Sequence, residues 1–170
     1  MPFQSQAVAN KFVEIANKEH KEVTLMKLLK LVYFAHGWYL AIKNEPLLKD
    51  QVQAWKFGPV VPSVYRAFKR HGDEPILDMC EEFDIESFLS DGSDIKTYIP
   101  RLPDDSFLNS FLKKIWDVYG SLTAFQLSAM THQKDTPWDK VWNQEKGCER
   151  RGIAIPDSYM KDYFKQKLAV

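Results

Sequence analysis

Side chains able to attack, carry a proton or bind a metal are few and dispersed along this 170-residue chain. The four histidines, His20, His36, His71 and His132, are not spaced as metal ligands, and Cys80 and Cys148 make no CxxC pair. Nucleophilic catalysis needs a Cys or Ser with a base held beside it, and no such pairing is legible. His36 lies inside an apolar run. An unpaired imidazole there would cost about 1–3 kcal/mol, so a hydrogen-bonded core histidine is the expectation. An enzyme using His36 or His132 is the weakest functional reading, and no catalytic residue, metal or cofactor is assigned.

The stretch "AWKFGPVVPSVYRAFKRHG", Ala54 to Gly72, offers different chemistry. A strand, a glycine and a helix start in that order also build phosphate-binding loops, which need several glycines and converging backbone N–H groups. Pro59 and Pro62 have no N–H to give, and Val60 and Val61 are bulky. "GPVVP" is therefore expected to be a rigid corner that sets how a strand enters a basic helix. On that helix Val61, Val64, Tyr65 and Phe68 form an inward stripe, while Arg66, Lys69 and Arg70 point elsewhere.

Several elements must position these residues. A first helix from Ser5 or Gln6 carries Val8, Phe12, Ile15 and Ala16 on one stripe. Thr24 is placed to cap "LMKLLKLVYFAHGWYLAIK", which is apolar nearly all round from Leu31 onward and so is expected to be a buried central helix ending at Asn44-Glu45-Pro46. A short strand covers Val52 to Phe57, and "GIAI" is a second strand candidate able to pair with it. Residues 73–105 read as an acidic connection with one short helix near Ile85 to Leu89 and an extended piece at Lys96 to Ile99. Asp104 or Asp105 caps an amphipathic helix with Leu108, Phe111, Leu112, Ile115, Trp116 and Tyr119 inward. Thr123 caps another, and Thr136 with Pro137 starts a further one. "PDSYMKDYFKQKL" closes the chain as a helix with Tyr159, Met160, Tyr163 and Phe164 on adjoining positions. The expected fold is mainly α, a single compact helical domain over 1–170 around a buried central helix, with a small β-hairpin or two-stranded sheet.

The composition, 45% hydrophobic, 27% charged and 14% aromatic, is that of a globular protein with a core rich in rings, some of which are free to anchor a partner. A net charge of zero hides a partition. Residues 1–72 carry 11 Lys/Arg against 5 Asp/Glu, residues 73–105 carry 2 against 11, and residues 106–170 carry 10 against 7. Either the acidic segment lies on the molecule's own basic surface or two faces of opposite sign meet partners. DNA contact, raised by the basic helix and by 121–132 as half of a helix-turn-helix, ranks second because a dedicated DNA binder is usually net basic. No stretch is long and apolar enough to span a bilayer, and a cytoplasmic protein with reduced cysteines is expected.

"LKLVYFAHGWYLA" (Leu29 to Ala41), "AWKFGPVVPSVYRAFKRHG" and "LSAMTHQKDTPW" (Leu127 to Trp138) together resemble the Panacea, or SocA-like antitoxin, domain family of bacterial chromosomes, prophages and phages. The resemblance spans most of the chain and is weakest over 73–105, where the family varies. It implies a helical, non-enzymatic domain that binds and neutralises a cognate toxin protein, with some members suggested to hand the toxin to a protease. Many relatives add a DNA-binding region, for which this chain has little room. An aim at a host factor, as a phage-derived binding protein, is the weaker form of the same reading. By position the motif covers His36, Gly37 and Trp38, then Trp55, Gly58, Pro59, Val60 and Tyr65, then Thr131, His132, Pro137 and Trp138. Gly58, Pro59 and Pro62 are expected to set geometry and Val60 and Tyr65 to pack. The expected partner-binding set is Trp55, Lys56, Tyr65, Arg66, Lys69 and Arg70, ring anchors with donors suited to an acidic surface.

Overall fold

Helix α2 (Leu25–Lys43) is the axis of the computed structural model, which describes residues 1–92 and 94–169. Its apolar residues run nearly all round, and 13 of its 19 residues are buried. Against it pack α1 (Ser5–Lys18), α5 (Ser106–Tyr119) and α8 (Asp157–Leu168), with α8 making the most extensive contact. All six inward positions expected on α5 are buried, and α1 buries Ala9 and Val13 beside its expected stripe.

The helix boundaries follow local chemistry. Asp105 accepts from Leu108 N at 2.7 Å at the head of α5. Thr123 and Gln126 close a reciprocal capping box on α6 (Ala124–Thr131). Thr24 sits at the expected boundary of α2 but makes no side-chain cap bond, a correction to the reading of it as a cap. Pro62 begins α3 (Pro62–Phe68), which tightens into a 3-10 turn over Lys69–His71 and stops at Gly72, whose φ of +55° suits a residue without a side chain. The helix expected from Pro137 keeps α geometry only over α7 (Pro137–Asp139) and continues as π-helix over Lys140–Gln144.

The rings gather where α2, α5 and α8 meet. Phe164 of α8 lies edge-on to Tyr33, Phe34 and Trp38 of α2, and Phe34 stacks on Tyr119 of α5 at 4.4 Å. A Cβ on Gly37 would stand 2.1 Å from the Phe164 ring, so a glycine at that place lets α8 approach. Most of the aromatic content is therefore core, and truncating a ring such as Phe164 to Ala should cost about 3–5 kcal/mol.

Strands β1 (Gln53–Trp55) and β2 (Gly58–Val60) form a hairpin with Lys56 and Phe57 as its loop, Trp55 opposite Gly58 and Ala54 opposite Pro59. Farther along the chain, β5 (Ile153–Ala154) joins the free side of β1 antiparallel, so "GIAI" does pair with the first strand and the sheet has three strands in the order β2-β1-β5. Pro59 is tolerated because β2 is at the edge of that order. In the acidic connection, β3 (Glu82–Phe83) and β4 (Thr97–Tyr98) pair around α4 (Ile85–Asp91). The short helix and extended piece expected there are present, and β3 is an addition. Among the described residues, no helix is long and apolar enough to cross a membrane.

Candidate partner-binding surface

The hairpin is held through three alternate carbonyls. Trp55 O accepts from Trp138 Nε1 at 2.7 Å, Phe57 O from Ser128 Oγ at 3.3 Å, and Pro59 O from Lys30 Nζ at 3.2 Å. The donors come from α7, α6 and α2, so three stretches far apart in sequence converge on one short turn. Satisfying these carbonyls from neighbouring elements fixes the turn's orientation as well as its shape.

Lys30 is the residue the sequence reading missed. A lysine on a helix ordinarily reads as solvent-facing, yet Lys30 is completely buried beneath Gly58 and Pro59. Burial without a counter-charge brings its pKa down to about 7. Gly58 has φ +114°, and a Cβ there would lie 2.8 Å from Lys30 Nζ and 3.1 Å from Thr131 Oγ1. Gly58 thus lets the chain turn closely over an ammonium group rather than cradling a phosphate.

The other motif residues make contacts within the chain. His36 is buried, accepts from Leu48 N through Nδ1 at 3.4 Å and meets Asp157 Oδ1 through Nε2 at 3.1 Å, which assigns the ring proton to Nε2. Trp38 Nε1 donates to Tyr119 OH at 2.8 Å. Thr131 Oγ1 donates to Ser128 O at 2.7 Å, Thr136 caps α7 through Asp139 N, and the His132 ring lies 4.0 Å from Trp138. Among the described residues no group of three or more His, Cys, Asp or Glu could hold a metal.

The expected partner set divides. Trp55 and Tyr65 are half-buried and meet edge to face at 5.1 Å, while Lys56 is exposed at the hairpin tip. Arg66, Lys69 and Arg70 are exposed, and among the described residues none of these four cations makes an ion pair. Arg70 lines a groove with Asp78 and Glu81, so one end of the basic helix does lie beside the acidic connection.

The sequence reading also missed the walls beside the hairpin tip. On one side Trp55 and Lys56 line a groove of about 690 Å³ with Trp142, Arg150 and Arg151. On the other, Phe57, 63% exposed, lines a groove of about 540 Å³ with Met26, Phe125 and His132. Phe125 lies off any inward stripe, a signal available in the sequence. Trp142 and the arginines become neighbours of Trp55 only through the π-helical turn and β5.

The profile of the "Antitoxin SocA-like, Panacea domain" family matches residues 28–139, from α2 through the hairpin to α7. The chain belongs to that family. Antitoxin SocA of Caulobacter vibrioides (strain NA1000 / CB15N) is 34% identical over 167 residues, 98% of this chain and 85% of the relative. No solved structure matches the chain. In this Panacea domain the matched span contains all three donors that hold the hairpin, Lys30, Ser128 and Trp138, whereas β5 and α8 lie beyond it.

Proposed function

We propose that the protein is an antitoxin that neutralises a cognate toxin by binding it directly, without covalent chemistry. The observation that carries this reading is the hairpin: side-chain donors from three helices hold its backbone, while its tip shows Lys56 and Phe57 outward between two ring-lined grooves. A pre-shaped aromatic turn loses little entropy on docking. The free cations at Lys56, Arg66, Lys69 and Arg70 suit an acidic toxin surface. Family membership and the similarity to Antitoxin SocA support a toxin as the partner. Handover of the bound toxin to a protease is a narrower version of the same proposal, and a host factor in place of a toxin is its weaker alternative.

Co-expression with the neighbouring reading frame tests it. That product should be toxic alone, harmless with this protein, and co-purify with it. A harmless neighbour that does not co-purify removes the antitoxin reading. Arg66→Glu with Arg70→Glu should weaken the complex about tenfold or more while the chain stays folded. DNA autoregulation ranks second. α3 offers cations, but α6, within the 121–132 segment read as half of a helix-turn-helix, carries neither Lys nor Arg. A salt-sensitive mobility shift on the protein's own promoter would reverse that ranking.

A further inference from the structure

Between Cys80 and Pro100 the chain leaves the helical body and returns, and one side chain ties both ends. Asn10 accepts from Cys80 N at 2.8 Å and donates from Nδ2 to Cys80 O at 3.1 Å and to Pro100 O at 3.0 Å. Beyond this clamp, Gln6 meets Glu82 at 3.2 Å, Gln4 meets Tyr98 at 3.1 Å, and the β3–β4 ladder closes the base of the arm. The arm therefore has a defined shape, although α4 buries none of its residues.

Its surface is the opposite of what solvent favours. Phe83 is 64% exposed, Ile85 62% and Leu89 75%, with Phe88, Ile95 and Tyr98 also exposed. Large apolar side chains gathered in this way mark an interaction surface, whereas scattered ones do not. Phe83, Ile85 and Tyr98 line a groove of about 410 Å³ with the carboxylates Asp84 and Glu86 at its rim. From 81 to 99 the arm has six Asp or Glu against the single cation Lys96.

We propose that this arm is a second docking surface, separate from the hairpin, and that it takes a basic, apolar segment of a partner protein. The exposed apolar side chains of the arm supply contact area, and the carboxylates that line the groove with them select lysine or arginine. The same charges repel nucleic acid and anionic lipid headgroups, and they oppose arm-to-arm pairing of two copies.

The test uses the full chain and a fluorescent peptide of alternating lysine and leucine, read by anisotropy, with a glutamate–leucine peptide as control. The basic peptide should bind and lose affinity as salt rises, while the control stays free. Phe83→Ser/Ile85→Ser/Leu89→Ser should weaken binding by at least about tenfold. Glu86→Lys/Asp94→Lys should do the same with the apolar surface intact, so a folding defect in the triple variant, monitored by circular dichroism, leaves a second measurement. Unchanged binding in the charge variant, or equal binding of the two peptides, overturns the proposal. So does a parent chain that sediments as a dimer and becomes a monomer in the triple variant, since a second copy would then be the occupant.

Discussion

The β1–β2 hairpin and the 81–99 arm both project from the helical body, and they are held in opposite ways. The hairpin is fixed along its length, because Trp138, Ser128 and Lys30 each reach one of its carbonyls. The arm is clamped at its root by Asn10 and by a few polar contacts near its base, and its helix is left bare. One region uses side-chain donors from three helices for orientation, and the other leaves apolar groups uncovered. Precise backbone placement suits a turn that must present two loop residues, whereas an open apolar face suits a surface completed by something else.

Gly58→Val should separate the two regions most sharply. A β-branched residue at φ +114° is strained, and its Cβ would press on the Lys30 ammonium, so a loss of about 4 kcal/mol is expected by urea unfolding. A cost under half of that would mean the hairpin is less tightly held than its contacts imply. Asn10→Ala should cost about 3 kcal/mol, since it strips partners from the buried backbone at Cys80 and Pro100. Hydrogen exchange should then quicken over 81–99 and stay unchanged at the hairpin. Faster exchange in both places would show that the regions are coupled.

Lys30→Met sharpens the comparison from the electrostatic side. The folded pKa of Lys30 is lowered to about 7, so between about pH 7 and 10.5 the unfolded chain binds more protons and stability rises with pH. From pH 7 to 9 this group should add about 2 kcal/mol, a rise that Lys30→Met abolishes. Burial raises the pKa of Cys80 to about 11, which acts oppositely at alkaline pH, so the measured quantity is the difference between the two chains. Equal pH profiles would show that Lys30 is hydrated. Leu89→Ser, at the exposed end of the comparison, should change stability by less than about 0.5 kcal/mol.

Much of the architecture could be read from the residues because its causes are local. The caps at Asp105, Thr123 and Thr136 each need only the next turn of chain, and the stripes of α1 and α5 need only helical spacing. Thr24 marks its boundary without capping, so a residue type can place an end and still leave its bond unmade. The corner's glycine and prolines announced a turn, and ring and cation positions nearby nominated Trp55 and Lys56. Lys30, Trp142 and the Asn10 clamp escaped notice because each depends on a segment tens of residues away.

Helix positions, turn chemistry and the sign of each charged block were settled by the order of residues, since spacing and side-chain type act over a few bonds. Packing alone chose which lysine is dry, which rings stay wet and which carbonyl each donor reaches. The physical reason is that burial and hydrogen-bond partnership belong to pairs of surfaces, and the second surface arrives only when distant helices close on one another.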